Sequence, residues 1–195
     1  MALLIEQIPA ENLAPHISAL ADLRIAVFRD WPYLYDGDRA YEARYLETYR
    51  TSEHAVVIGA WDGERLVGAS TGTPLEDHEA AFGAPFLAAG YALADIFYCA
   101  ESVLLPAYRG QGAGHAFFEA REAHARRLGR RYSAFCAVVR PADHPARPTA
   151  YRPLDGFWRA RGYAPLEGAV TQFGWRDIGE TEETEKPMQF WLRTL

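Results

Sequence analysis

Glu101-Ser102-Val103-Leu104-Leu105-Pro106-Ala107-Tyr108-Arg109-Gly110-Gln111-Gly112-Ala113-Gly114 is the stretch whose reading decides the fold. A long apolar strand, Asp95 to Leu105, runs into Pro106. An arginine and three alternating glycines follow, and then a helix, Gly112 to Leu128, with Phe117, Ala120, His124 and Leu128 along one stripe. Glycine lets the backbone approach a ligand and adopt angles closed to other residues. The helix start adds unpaired N–H groups and the positive end of the helix dipole, so the turn is a nest for a phosphate or pyrophosphate. The P-loop pattern requires a lysine that is absent here. The G-x-G-x-x-G fingerprint, counted from Gly110, meets His115 at its sixth position, and its strand sits mid-chain. A third pattern, Q/R-x-x-G-x-G/A after a hydrophobic strand and P-x-Y/F-R-G, is met at every position by Arg109 to Gly114 and by Pro106-Ala107-Tyr108-Arg109-Gly110.

Outward from this stretch the chain reads as alternating elements. Ala2 to Ile8 is a first strand. Residues 11–29 are a helix carrying Leu13, Ile17, Leu20, Leu23, Val27 and Phe28, stopped at Asp30-Trp31-Pro32. After an aromatic loop, residues 38–50 form a second helix with Tyr41, Tyr45, Leu46 and Tyr49 on one side. Ala55 to Trp61 and Leu66 to Thr73 pair through an Asp62-Gly63 turn. Residues 74–93 read as a loop with a short helix. Tyr132 to Val139 is an apolar strand suited to a sheet centre. A proline-rich loop over 140–153 leads to a short helix, Leu154 to Arg161, ended by Gly162. Two last strands, Val170 to Ile178 and Met188 to Leu195, flank an acidic turn. No internal repeat or linker divides the chain, so residues 1–195 are expected to form one domain of the mixed α/β class.

Composition narrows the function. The 195 residues are 49% hydrophobic, 13% aromatic and 24% charged, enough to build a packed core. Acidic residues number 26 against 20 basic ones, which argues against a nucleic-acid partner. No apolar run reaches the ~20 residues of a membrane span, and residues 1–9 alternate rather than form a secretion signal. Cys99 and Cys136 lie in apolar strands and read as reduced core thiols of a cytoplasmic protein. His54, His78 and His144 show no metal-ligand spacing, His124 sits on an apolar helix stripe, and no metal is expected.

The motif, its lead-in and the element order resemble the GNAT superfamily, the Gcn5-related N-acetyltransferases, over the whole chain. The resemblance implies a mixed, mostly antiparallel sheet of about seven strands with a splayed middle pair and flanking helices. It implies acetyl-CoA as co-substrate, with its pyrophosphate on the backbone of Arg109, Gly110, Gln111, Gly112, Ala113 and Gly114. The pantetheine arm and thioester would lie along Val103, Leu104 and Leu105, much as a peptide adds to a strand edge. Glu101, the acidic residue inside the motif strand, would be the general base, with Asp95 as second choice. The family often places a tyrosine facing the sulfur, where this chain has Trp158. Tyr151 is therefore the candidate acid. The family also tends to place an asparagine where this chain reads Arg140-Pro141.

The acceptor would be a small-molecule or peptide amine held by Trp31, Tyr33, Tyr35 and Tyr98, with Asp30 or Asp36 near the amine and cation–π contact available. Arg121, Arg126, Arg127, Arg130 and Arg131 read either as a solvated helix end or as a contact to the 3′-phosphate of CoA. Glu180, Glu182, Glu183 and Glu185 read either as a solvated hairpin tip or as an attractor of cationic amines. The resemblance makes a homodimer a candidate assembly. A CoA-binding module without turnover, and a nucleotide-phosphate enzyme on another fold, are the competing readings.

Overall fold

A computed structural model describes residues 3–78 and 80–195. Thirteen helices and strands organise the chain among these residues. The strand β1 spans Leu4–Gln7, and Ala2, expected at its start, lies outside the described residues. Two short 3-10 turns precede α1 (Ile17–Phe28), which is therefore shorter than the expected 11–29. The helix α2 (Arg39–Thr51) starts where the Asp38 carboxylate caps the Tyr41 N–H at 2.7 Å. Next come the hairpin β2 (Val56–Asp62) and β3 (Arg65–Pro74), then α3 (Ala80–Ala88).

The expected long strand over 95–105 is two strands, β4 (Ile96–Tyr98) and β5 (Ser102–Leu104). The chain continues through α4 (Ala113–Arg127), β6 (Tyr132–Val138), α5 (Asp155–Ala160), β7 (Ala164–Trp175) and β8 (Thr184–Thr194). The sheet thus has eight strands rather than about seven. Both last strands begin earlier than expected. A register shift between Pro165 and Val170, with Gly168 at φ 73°, disrupts the period-2 pattern of β7. Pro187 masks the start of β8, but it sits one residue beyond the last β6 pair, Val138 with Met188, where no ladder donor is needed.

Strand order is β1-β2-β3-β4-β6-β8-β7, with β5 pairing β3. Every pairing is antiparallel except β4 with β6. Strand alternation distributes the core to two faces. Val56 and Ile58 face α4, with Phe117, Phe118 and Phe135. Val57 faces α1 and α2, with Leu20, Leu23 and Leu46. Farther along that second face, Cys136 and Phe190 pack under α3 with Phe82 and Phe86. The two clusters of the second face meet at Ala100, beside the break between β4 and β5.

Candidate active site

The break in the motif strand positions every other part of the site. β3 spends its length on both partners: Gly68 to Ser70 pair with β5, while Thr73 and Pro74 pair with β4. Across the other edge, pairing with β6 ends where the Cys99 N–H donates to the Ala134 carbonyl at 2.7 Å. Beyond Cys99 the motif strand stays with β3 and leaves β6. The Leu105 N–H donates to the Val67 carbonyl and the Glu101 carbonyl accepts from the Thr71 N–H, at 3.0 Å each. By strand alternation the backbone groups of Ser102 and Leu104 face away from β3, along the opened edge.

Downstream, Pro106–Tyr108 forms a 3-10 turn, tied back by a 2.8 Å hydrogen bond from the Tyr108 hydroxyl to Asp62. Gly110 and Gly112 take φ of 77° and 87°, and Gly112 caps α4 without a side-chain hydrogen bond. The first N–H groups of α4 are thereby left for a ligand. An unpaired strand edge leading into a bare helix start suits the amides and the pyrophosphate of an acyl-CoA, so the residues present fit that group.

A cavity of about 490 Å³ opens on the second face at the same break. Its floor holds Tyr98, Ala100, Glu101 and Cys136. The Glu101 carboxylate is 2.5 Å from Arg24 of α1. It accepts from the Tyr45 hydroxyl at 3.0 Å and the Tyr49 hydroxyl at 3.4 Å, both from α2. Arg24 also bonds Glu42 of α2 and lies over the Tyr45 ring, 4.3 Å from its centre. Side-chain exposure is 11% for Arg24, 7% for Glu101 and 0% for Glu42, so one guanidinium serves two buried carboxylates. Burial works against the Arg24 cation, but Glu101, Tyr45 and Glu42 outweigh it and hold its pKa well above the ordinary value. Burial, with Glu101 beside it, pushes the Tyr45 hydroxyl upward, so Tyr45 stays a neutral donor.

None of Arg24, Glu42, Tyr45 or Tyr49 stands out as a site residue from sequence, because α1 and α2 bring them to Glu101, which lies in the break between β4 and β5. The one signal in the chain is that Glu42, Tyr45 and Tyr49 share a helical face, so a carboxylate sits on the stripe that packs inward.

The structure divides the expected acceptor residues. Tyr33, Tyr35, Tyr98 and Asp36 line the cavity. Trp31 does not; it packs on His144 and Tyr151, with ring centres 5.0 and 6.0 Å away. Tyr151, the expected acid, therefore lies in the proline-rich loop outside the cavity, as Asp30 lies outside it too. Trp158, at the position where the family pattern has a tyrosine, is built into the opposite face against Phe135 and Trp191. Arg140, in place of the family's asparagine, forms a staple. It donates to the Pro32 and Tyr33 carbonyls at 2.9 and 2.7 Å and grips Asp177 with two bonds, which fixes the aromatic loop against the β7–β8 turn.

Arg121 departs from both readings of the late arginine cluster. It is 1% exposed and reaches into the break in the sheet, to the Glu101 carbonyl at 2.9 Å, the Thr71 carbonyl at 3.2 Å and the Ser102 hydroxyl at 2.9 Å. Arg130 and Arg131 pair with Glu76 and Asp95. Asp95 is thus engaged at the strand start. Cys99 and Cys136 are free and buried, and burial pushes the Cys136 thiol up to about 12. Among the described residues no group of His, Cys, Asp or Glu is arranged to hold a metal, and no helix is long and apolar enough to cross a membrane.

Residues 20–155 match the model of the acetyltransferase (GNAT) family, and the chain belongs to that family. It is an acetyltransferase by that membership. No curated protein matches in sequence. Solved structures share the fold at low identity. A ribosomal-protein-alanine N-acetyltransferase from Brucella melitensis is 14% identical at a TM-score of 0.64, over 99% of this chain and 100% of that one. A putative acetyltransferase from Salmonella typhimurium, solved with its cofactor acetyl-CoA, is 11% identical at 0.61, over 100% and 95%. An aminoglycoside 6′-acetyltransferase type Ii is 15% identical at 0.59, over 98% and 96%.

Proposed function

We propose that the protein transfers an acetyl group from acetyl-CoA to a primary amine of a small molecule or peptide by direct attack, with Glu101 receiving the proton of the amine. One observation carries this reading: the Glu101 carboxylate forms the floor of the cavity at the point where β4 and β5 separate. The acetyl-CoA-bound fold neighbour supports the choice of donor. Acetyl-CoA supplies the thioester, whose carbonyl carbon bonds the amine nitrogen while the carbon–sulfur bond breaks and CoA leaves as its thiolate.

The chain's own groups bind, orient and move the proton. The N–H groups of Gln111 to Gly114 hold the pyrophosphate, and the opened edge from Val103 to Leu105 holds the pantetheine amides. Arg24 and the hydroxyls of Tyr45 and Tyr49 fix the Glu101 carboxylate in one orientation. The ammonium proton passes to Glu101, directly or through one water, and then to solvent.

The test is Glu101→Gln. Thiol release with acetyl-CoA and a reactive amine should fall by about 10²–10⁴, the usual contribution of a general base, while CoA affinity by calorimetry stays within twofold. Unchanged turnover would remove Glu101 from the reaction. CoA binding by the wild type without thiol release for any amine would favour a binding module instead.

A further inference from the structure

The walls and charges of the cavity bear on the identity of the acceptor, an inference that rests on the proposed acetyl transfer. Its walls are a continuous belt of rings. Phe28 and Tyr33 are 4.6 Å apart, Tyr33 and Trp175 5.8 Å, Trp175 and Phe173 6.1 Å, Phe173 and Phe82 5.9 Å, and Phe82 and Tyr98 5.6 Å between ring centres. These rings come from α1, the loop after it, α3, β4 and β7, so the belt is a product of the tertiary fold. Ala100 and Met188 are the aliphatic side chains among the described lining residues. A surface of this kind matches a flat aromatic body, which it can stack or meet edge to face.

Charge fixes the orientation of that body. Five carboxylates line the cavity, Asp36, Asp38, Glu42, Glu101 and Glu183, against Arg24, Arg44 and Arg176. Two of the arginines are engaged, Arg176 by Asp36 and Arg24 by both Glu42 and Glu101. The deepest cluster thus holds two carboxylates and one guanidinium, which an ammonium group completes and a further carboxylate opposes. Glu183 places the acidic β7–β8 turn on the cavity wall, so the field extends outward.

We infer that the acceptor is an aryl-bearing primary amine that carries no carboxylate beside its amino group: the ring lies in the aromatic belt and the amine meets Glu101.

The test compares probes that differ in one feature at a time. CoA affinity of the wild type is measured first by calorimetry, and its absence would defeat the acetyltransferase reading and this inference together. With acetyl-CoA present, thiol release is followed with 2-phenylethylamine, phenylalanine, n-butylamine, spermidine and an alanyl peptide. Phenylalanine adds the carboxylate, n-butylamine removes the ring, spermidine adds charge, and the peptide asks for a chain terminus. We expect kcat/KM for 2-phenylethylamine to exceed each of the others at least tenfold. Phe173→Ala, in the belt, should raise KM for 2-phenylethylamine at least fivefold and by a clearly larger factor than KM for n-butylamine, which has no ring to stack. Equal or better turnover of phenylalanine, n-butylamine, spermidine or the peptide would overturn the inference while leaving the acetyltransferase reading in place. So would a Phe173→Ala enzyme that treats both amines alike.

Discussion

Arg24 holds two carboxylates with one guanidinium, and that ratio governs what its loss should do. Glu42 is fully buried, so Arg24→Met leaves it without its cation in a medium that does not solvate charge. Removing one partner of a buried pair costs about 3–5 kcal/mol, and a loss of that size should appear as a lower urea midpoint at unchanged slope. A loss under ~1 kcal/mol would mean that Glu42 has found another partner or water. Cys136 gives a second expectation. Its thiol is held near 12 and bonded to the Tyr98 hydroxyl at 2.9 Å, so on the cavity floor it is a neutral thiol, not the reactive thiolate, at pH 8. Iodoacetamide should label it in urea and spare it in the folded protein, as read by mass spectrometry of the Cys136 peptide. The contrast between these residues and the glycine loop shows what sequence could convey. The spacing of Arg109, Gly110, Gln111, Gly112 and Gly114 carries the backbone geometry directly, because a nest is a local structure. The Arg24–Glu42–Glu101 cluster joins α1 and α2 to the break between β4 and β5, so no short window of sequence contains it.

The split of the motif strand is an event between elements, and Arg121 is placed to hold it. From α4 its guanidinium donates to the carbonyls of Glu101 and Thr71 and to the Ser102 hydroxyl, the residues at which β5 departs from the line of β4. Periodicity reads residues 95–105 as one strand because apolar content persists through Cys99 and Ala100; the break lies in backbone pairing, which composition does not record. Arg121→Met roughly keeps the volume and removes these three hydrogen bonds. Charge-assisted bonds of this kind are worth about 1.5–3 kcal/mol, and each carbonyl keeps its backbone partner, so a loss of about 2–3 kcal/mol is expected in urea. Because Glu101 sits on that backbone, kcat should fall more than KM for the amine. A stability loss with kcat unchanged would mean that Arg121 serves folding alone. At the other end of α4, Gly112→Ala forces a side chain into φ 87°, at a cost of about 1–2 kcal/mol if the angle is kept. Its Cβ would meet nothing within 4 Å, so the strain is conformational rather than steric. Weaker CoA binding with little change in amine KM is the expected signature, by calorimetry and steady-state rates.

At the scale of the molecule, one wall of the cavity is braced from behind by a contact between segments more than a hundred residues apart. Arg140 at the end of β6 joins the loop carrying Pro32 and Tyr33 to Asp177 in the turn after β7, and Lys186 of β8 lies 3.2 Å from the same carboxylate. Burial raises the pKa of Asp177, but the hydrogen bonds and charges of Arg140 and Lys186 outweigh it and hold the carboxylate below its ordinary value. A group depressed in the folded state adds stability that is complete above its unfolded value, about 4, and is lost as the pH falls through its folded value. Asp177 should therefore weaken the fold from about pH 4 downward and leave it unaffected between pH 6 and 8. Asp177→Asn should lower stability at pH 7 and flatten its decline in acid, as read from urea midpoints at half-unit steps from pH 7 to 3. Because the same staple sets the position of Tyr33 in the aromatic belt, the variant should also raise KM for the amine at pH 7 while CoA affinity holds. A variant curve parallel to the wild type through acid would separate Asp177 from acid stability. An unchanged KM would show that the wall keeps its shape without the staple.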